Sequence, residues 1–151
     1  MYFDEKVILL NSKAKTKVEV LTILAEKMFA KQVVNSDFLE NVLKREETYP
    51  TGLMVNGIGI AIPHTDSDYV NKSQLGFMSL NEPVVFNEMG TLDKGVEVNL
   101  VFMLALKEPH EQLNMLQQLI EMFQNESVIS ELLETKTEEK FIEIMNRQNL
   151  K

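Results

Sequence analysis

The chain of 151 residues carries 15 Lys and Arg against 23 Asp and Glu, and its net charge of −8 disfavours binding to nucleic acid or to an anionic membrane. It has no Cys, which excludes disulfide bonds and thiol chemistry, and its longest apolar run, residues 100–106, is too short to cross a bilayer. With no secretory signal, linker or repeat in the sequence, we expect one cytoplasmic domain over residues 1–151, without membrane insertion.

The first third of the chain predicts one strand followed by two helices. Residues 7–10 form a short apolar run typical of a strand. Thr16 has capping-box spacing to a glutamate and precedes apolar residues at steps of three and four, which predicts the first helix. The second helix is predicted to follow N-cap candidates at residues 35–37 and to fray near Arg45, because Pro50 lies just ahead.

The middle third predicts sheet. After a loop that ends at residues 51–52, Gly and Pro separate short β-type runs at residues 58–62 and 75–80. Residues 84–86 are a further candidate strand. Residues 96–106 are apolar on both alternating faces in their second half, which is typical of a strand covered on both sides. We therefore expect this last strand to be central in the sheet.

The last third returns to helical spacing and predicts three helices. Pro109 fits the first turn of a long helix, and Ser127 and Thr137 are candidate N-caps of two shorter ones. The order of elements, with helices before and after the strands, predicts an α/β fold in which a mixed sheet is flanked by helices.

His64 is the first candidate for chemistry, because it immediately follows a predicted strand that ends at Pro63. Pro63 fixes its own φ and lacks a donor, so the chain leaves the sheet there and the next side chain can be held rigidly while it meets solvent. A neutral imidazole is a competent nucleophile for phosphorus when a hydrogen bond fixes one ring nitrogen and leaves the other lone pair free. The alternative is that His64 only caps a turn or binds a loop carbonyl.

Arg45 is the second candidate, since the chain has only two Arg among its 15 basic residues. A guanidinium binds two phosphoryl oxygens at once and neutralises charge that spreads over them during transfer. The alternative is an ion pair with Glu40, Glu46 or Glu47 on a solvated helix end, which contributes under about 1 kcal/mol.

Three further polar residues have two interpretations each. His110 follows Pro109 in the first turn of a predicted helix, where N–H groups and the helix dipole favour an anion, but an ordinary surface position is equally open. Asp66 and Asp68 follow His64 at a spacing that can suggest a metal site, yet carboxylates in a polar turn are more often turn formers. We expect no metal. Hydrolase, nucleotide-binding and dinucleotide-binding motifs are absent from the sequence, so we expect no cofactor either.

These motifs together resemble the enzyme IIA domains of the bacterial sugar phosphotransferase system, in the fructose/mannitol superfamily. The likeness rests on Arg45-Glu46 at a helix end, on Thr51 with the glycine after it, and on the Ile-Ala-Ile-Pro of residues 60–63 followed by His64. It covers essentially the whole chain. The resemblance implies a phosphotransferase in which His64 accepts a phosphoryl group from the histidine phosphocarrier HPr and passes it to a sugar-specific enzyme IIB, with a membrane IIC in the wider system. It also implies that Arg45 stabilises the phosphoryl group, with Thr51 in support.

Two departures narrow the resemblance. The segment between Thr51 and His64 is longer than in fructose or mannitol members and is similar to that of the galactitol-type enzyme IIA, which implies galactitol or a related polyol as the sugar. Fructose and mannitol members carry a second His at the start of the helix after the long strand. Here Gln112 stands in that position and His110 lies two residues earlier, so a part in the site is open for either residue.

Two alternative functions stay open from the sequence. One is a nitrogen-type regulatory IIA domain, which is phosphorylated on the same His but signals by binding another protein. The other is a non-enzymatic interaction module that is never phosphorylated.

Overall fold

The computed structural model describes residues 1–150 and shows a mixed five-stranded sheet with helices packed on both faces. The strands are β1 (Ile8–Ser12), β2 (Gly52–Val55), β3 (Ile58–Ala61), β4 (Gln74–Asn87) and β5 (Gly95–Ala105), and the helices are α1 (Lys17–Ala30), α2 (Phe38–Thr48), α3 (Pro109–Phe123), α4 (Glu126–Glu134) and α5 (Glu138–Arg147), with a 3₁₀ turn at Ser67–Tyr69. Within the described residues, no helix is long and apolar enough to cross a membrane. The predicted α/β fold is confirmed.

The sheet has the order β1-β4-β5-β3-β2, and β5 is therefore central, as predicted. The pairs β1/β4 and β3/β5 are parallel, whereas β4/β5 and β2/β3 are antiparallel. Because β3 and β5 run in the same direction side by side, their carboxyl ends meet at one edge of the sheet. The segment with Pro63 and His64 leaves β3 at this edge.

The two faces of β5 belong to two separate hydrophobic clusters. Leu100, Phe102 and Leu104 pack with side chains of α3, α4 and α5, while Val101 and Met103 pack with side chains of α1 and α2. All five are fully buried. Burial of each such side chain stabilises the fold by roughly 1.5–3 kcal/mol, so the central strand is strongly fixed between the helix layers.

Helix α2 ends later than the sequence indicated. It continues through Thr48, and the N–H of Tyr49 donates to the carbonyl of Arg45 at 2.7 Å. Pro50 restricts chiefly the conformation of the residue directly before it, so the helix has no need to fray a turn earlier. Arg45 therefore stands in the last turn of a regular helix.

The segment after Pro50 contributes a strand, β2, that the sequence patterns did not indicate. β2 pairs with β3 in an antiparallel hairpin, with Gly52 opposite Ala61. Its two-residue turn is Asn56-Gly57, with φ of 51° and 83°, and positive φ at both positions is the turn geometry that an Asn-Gly pair favours. The hairpin brings the start of β2 beside the end of β3.

The predicted strands at residues 75–80 and 84–86 are one strand, β4. Its register against β5 shifts between Ser79 and Val84, and β5 is long enough to pair with both halves. A register shift of this kind lets a strand bend without leaving the sheet.

The helix caps agree with prediction at α1, α3 and α5, whereas α2 follows Asp37, one of the candidates at residues 35–37, without a side-chain cap, and α4 differs. Thr16 and Thr137 accept from the backbone three residues on, and Pro109 occupies the first turn of α3. The N-cap of α4 is Asn125 rather than Ser127, because the hydroxyl of Ser127 already lies inside the first turn and donates to Asn125 Oδ1 at 2.8 Å.

Gly59 is required where β3 lies against β5. A Cβ at this position would lie 1.9 Å from the carbonyl oxygen of Glu97, a backbone atom of the paired strand. We expect Gly59→Ala to lower the free energy of unfolding by about 3 kcal/mol, because the strands must separate to admit the methyl group. Urea unfolding measures the change. Gly76→Ala is the control, since its Cβ meets the flexible end of Met28 at 2.9 Å and should cost clearly less. Equal losses for the two variants would contradict this account.

Candidate active site

His64 lies where the carboxyl ends of β3 and β5 meet. Its backbone forms an isolated parallel bridge with Leu104, and the N–H of Leu104 donates to the carbonyl of Pro63 at 3.0 Å. The side chain is partly buried. The backbone at His64 is thus bound to the central strand, which holds the side chain in place as predicted. The expectation that the chain leaves the sheet at Pro63 is wrong, because His64 still pairs with Leu104.

One ring nitrogen of His64 is engaged with the backbone. Nδ1 lies 2.8 Å from the carbonyl oxygen of Ile62. A carbonyl oxygen only accepts hydrogen bonds, so Nδ1 carries the proton and donates it, and the neutral ring keeps a lone pair on Nε2. The alternative interpretation, that His64 binds a loop carbonyl, therefore holds for Nδ1. Nε2 is still available as a nucleophile.

The surroundings of His64 keep its ring neutral. Burial lowers the pKa of His64 below its ordinary value of 6.5, and the positive charge of Arg45 lowers it further. The hydrogen bond to Ile62 and the negative charge of Asp66 raise the pKa, but they do not outweigh the other two effects. At neutral pH the imidazole is therefore predominantly in its nucleophilic form.

Arg45 acts on this imidazole from the last turn of α2. Its guanidinium lies over the ring of Tyr49, 4.7 Å from the centroid, and its Nη1 is 3.9 Å from Asp66 Oδ1. Its Nε is buried and makes no hydrogen bond within residues 1–150. The side chain is 38% exposed, so the guanidinium borders the site and still meets solvent.

The glutamates of the alternative interpretation, Glu40, Glu46 and Glu47, form no ion pair with Arg45 among the described residues. Glu40 binds Lys44 at 3.2 Å on the outer face of α2, and Glu46 is turned into the protein. The partner is Asp66, from the turn after His64. This pair is long and Asp66 is 71% exposed, so it leaves the guanidinium able to exchange partners.

The sequence indicated Glu46 only as part of the motif with Arg45 and as an alternative ion-pair partner of that residue, and its buried position was not predicted. Glu46 is only 1% exposed, and its carboxylate accepts from both the N–H and the hydroxyl of Thr51, each at 2.8 Å. Burial raises the pKa of Glu46 to about 7, against the opposing effect of these two hydrogen bonds. The sequence feature that indicates this position is spacing: Glu46 lies four residues after Val42 and eight after Phe38, which places its carboxylate on the buried face of α2.

Gln112 and His110 have different positions relative to His64. Gln112 Nε2 donates to the carbonyl of Thr65 at 2.9 Å and so ties α3 to the turn directly after His64. His110 is exposed on the first turn of α3, and its side chain makes no hydrogen bond among residues 1–150. Beside the turn lies an open cavity of about 260 Å³, lined by Asp66, Ser67, Asp68, Pro109 and Gln112.

The turn after His64 is not arranged as a metal site. Among the described residues, no three His, Asp or Glu side chains are grouped as ligands for a metal ion. Asp66 precedes the 3₁₀ turn, and its carbonyl accepts from the N–H of Tyr69. The two carboxylates of this segment are thus turn residues, one of which also faces Arg45.

Comparison with known proteins gives the same picture over nearly the whole chain. Residues 1–148 match the family described as "Phosphoenolpyruvate-dependent sugar phosphotransferase system, EIIA 2". The galactitol-specific EIIA component of Escherichia coli strain K12 is 32% identical over 126 residues, which are 82% of this chain and 83% of that protein. The resemblance inferred from the sequence, including its similarity to the galactitol-type protein, is confirmed.

Solved structures give the same fold. The mannitol IIA of E. coli, determined in complex with phosphorylated mannitol IIB, superposes with a TM-score of 0.76 at 28% identity over 95% of each chain. The cryptic mannitol-specific IIA of E. coli, CmtB, superposes with a TM-score of 0.77 over 97% of this chain and 96% of its own. At 20% identity, CmtB shows a likeness of fold alone.

The geometry of His64 predicts a particular NMR behaviour. We expect the ¹⁵N shifts at pH 8 to show a protonated Nδ1 and an unprotonated Nε2, and the ring to titrate with a midpoint below 6.5, because burial and Arg45 disfavour the imidazolium. His110 is the internal control, since it is exposed and lacks the carbonyl partner. An Nε2–H tautomer of His64, or a midpoint of His64 above 6.5, would contradict the site as described.

Proposed function

The chain belongs to the EIIA 2 family of the phosphoenolpyruvate-dependent sugar phosphotransferase system, whose members are phosphotransferases with a phosphohistidine intermediate, and on that premise we propose that His64 carries the phosphoryl group. The observation that supports this most directly is the hydrogen bond from His64 Nδ1 to Ile62. It leaves a neutral imidazole with a free Nε2 beside a guanidinium.

The fixed tautomer suits both directions of the reaction. In the forward step the Nε2 lone pair forms a bond to phosphorus as the P–N bond of the donor phosphohistidine breaks, and no proton has to leave Nε2. The ring then carries positive charge, which the Ile62 carbonyl stabilises through Nδ1–H. In the onward step the P–N bond of His64 breaks and returns the same neutral tautomer, so neither a cofactor nor an external proton is needed at this residue.

Arg45 supplies the positive charge for the phosphoryl group. We propose that its fork exchanges Asp66 for phosphoryl oxygens when His64 is loaded, since the existing pair is 3.9 Å long and exposed. Asp66 then repels the anion beside it, which favours release to the next protein. Gln112 supports the site by holding the turn at Thr65, and His110 is outside it.

The partners follow from the family. We propose that residues 1–151 work as one phosphocarrier domain, that the donor is HPr, and that the acceptor is an enzyme IIB that serves a membrane IIC. The mannitol IIA structure with phosphorylated IIB supports an acceptor of this kind, and the galactitol-specific relative supports galactitol or a related polyol as the sugar. These partners belong to the cytoplasm, where we propose that the chain acts, with no part in nucleic-acid binding.

Incubation with phosphoenolpyruvate, enzyme I and HPr should add one acid-labile phosphoryl group to His64, and a galactitol-type IIB should then remove it within seconds. We expect this because the free Nε2 needs no proton transfer in either step. Mass spectrometry and ³¹P NMR measure the occupancy. His64→Ala should take up nothing, and His110→Ala should behave as the parent.

The outcome separates the candidate functions. Loading of His64→Ala at the parental level would exclude His64 as the acceptor, and absence of any loading would leave the interaction module. If the parent is loaded but no IIB of any sugar class drains it, the regulatory IIA function would replace the carrier.

Arg45→Lys should keep the positive charge and lose the planar guanidinium, which can bind two phosphoryl oxygens at once. We expect the rate of transfer from HPr to fall at least about tenfold, equivalent to about 1.4 kcal/mol in the barrier, because an ammonium holds only one phosphoryl oxygen well. The melting temperature should change little, since the exposed pair with Asp66 contributes little to stability. Lys44→Arg, on the solvated face of the same helix, is the control. Unchanged transfer in Arg45→Lys would remove Arg45 from the site.

A further inference from the structure

Hydrogen bonds from a buried carboxylate and from the imidazole of His64 meet at one residue, Ile62, and together form a line between the two side chains. Glu46 accepts from the Thr51 hydroxyl at 2.8 Å, and the Thr51 oxygen accepts from the N–H of Ile62 at 3.2 Å. The carbonyl of the same Ile62 accepts from His64 Nδ1 at 2.8 Å. Residues from the end of α2, the start of β2 and the end of β3 are joined in this line.

The two side chains of this line that lie inside the protein, Glu46 and Thr51, are both shielded from solvent. Glu46 is 1% and Thr51 2% exposed, so water cannot replace a lost partner of either. The Thr51 hydroxyl has one proton, which it gives to Glu46, and its oxygen is therefore free to accept from Ile62. If Glu46 did not accept that proton, the hydroxyl would have to turn, and the N–H of Ile62 would lose its defined acceptor.

A buried carboxylate is a costly way to hold two strands together. An ionised group that is taken out of water loses hydration that its hydrogen bonds only partly replace, and a neutral side chain of the same shape serves packing at least as well. The only charged side chain that acts on Glu46 from a neighbouring element is Lys17 of α1 within the described residues, and its effect is the weakest of those on this carboxyl. The carboxylate therefore points to a purpose other than packing.

Resting on the proposed function of His64, we propose that Glu46 is a positioning residue for phosphoryl transfer, which acts through Thr51 and Ile62 to hold the carbonyl that binds His64 Nδ1. The bond to Thr51 fixes the peptide group before Ile62 through its N–H, and the carbonyl of the next peptide group binds the imidazole. Glu46 thereby selects which ring nitrogen faces the incoming phosphorus, without touching the reacting atoms.

This arrangement also stabilises the loaded state. When Nε2 binds phosphorus, the ring becomes positively charged and its Nδ1–H becomes a stronger donor, so the Ile62 carbonyl must stay in place. A carbonyl that moved would allow the ring to rotate and would weaken both loading and onward transfer.

The decisive variant is Glu46→Gln, which keeps size and removes the charge and one acceptor. We expect the initial rate of loading by HPr to fall at least about tenfold, together with a mixture of Nδ1–H and Nε2–H tautomers of His64 in ¹⁵N spectra. Glu47→Gln is the matched control, because Glu47 is the next residue of α2 and is exposed. It should load at the parental rate with a single tautomer.

Thr51 tests the middle of the line. Thr51→Ser keeps the hydroxyl and should retain the parental tautomer and loading within about twofold, whereas Thr51→Val keeps the shape and should behave as Glu46→Gln. A Glu46→Gln, Thr51→Val double variant should lose no more than either single variant, because both changes break the same line.

A measurement on the unmodified chain covers the case in which Glu46→Gln or Thr51→Val does not fold. Glu46 should titrate near pH 7, and the amide proton of Ile62 should shift with the same midpoint, distinct from the lower midpoint of His64. The other charged groups that act on this line are Lys17, which faces Glu46, and Arg45 and Asp66, which face His64. An Ile62 amide that ignores the titration of Glu46 would overturn the proposal.

Different results would contradict the proposed phosphorylation of His64 and the proposed positioning role of Glu46. If the parent is not loaded on His64 at all, the proposed function fails. If the parent is loaded, and folded Glu46→Gln and Thr51→Val match it in both rate and tautomer, only the positioning role of Glu46 is refuted.

Discussion

The hydrogen bond between His64 Nδ1 and the carbonyl of Ile62 is the interaction on which the site depends. This bond selects one tautomer of the neutral imidazole, in which Nδ1 carries the proton and Nε2 has the free lone pair. Two residues after β3, Pro63 fixes the backbone angle, and the bridge to Leu104 holds the next residue against the central strand. Because β5 is packed between two helix layers, the backbone bound to it at His64 is also held in place, and the imidazole with it.

The charges around this imidazole have opposing effects that the fold balances. Arg45 disfavours the imidazolium in the empty state, which preserves the nucleophile, and becomes favourable once a phosphoryl group brings negative charge. Asp66 has the reverse effect in each state. Because the two side chains face each other at 3.9 Å, each limits the influence of the other on the imidazole.

Most of the fold was predictable from the sequence because apolar period and caps are local signals. The central strand, the capping by Thr16 and Thr137 and the role of Pro109 were all predicted from such signals. β2 was missed because only four residues pair, and its main signal, Asn56-Gly57, lies between two short runs. The N-cap of α4 was misplaced by two residues, since Asn125 and Ser127 both suit a cap and only the three-dimensional turn decides between them.

The residues proposed for the site could be named from the sequence, but their contacts could not. His64 and Arg45 are notable by residue type and position, whereas the alternative interpretation of Arg45 named only partners on its own helix, because residues close along a helix are the contacts that a helix pattern shows. Asp66 reaches Arg45 from another element. The Glu46–Thr51 pair is equally non-local in its consequence, since its meaning depends on Ile62, eleven residues beyond Thr51.

The presence of Gln112 beside the turn explains how one imidazole can suffice. Its amide donates to the carbonyl of Thr65, so it orders the backbone directly after His64 without bringing a titratable ring. A second histidine there would add a positive charge that depends on pH, and the charge available to a phosphoryl group would then vary over the physiological range. With Gln112 in place, the positive charge beside His64 is the permanent one of Arg45. Under the proposed function, charge for the phosphoryl group would therefore come from Arg45, and the orientation of the imidazole from the carbonyl of Ile62.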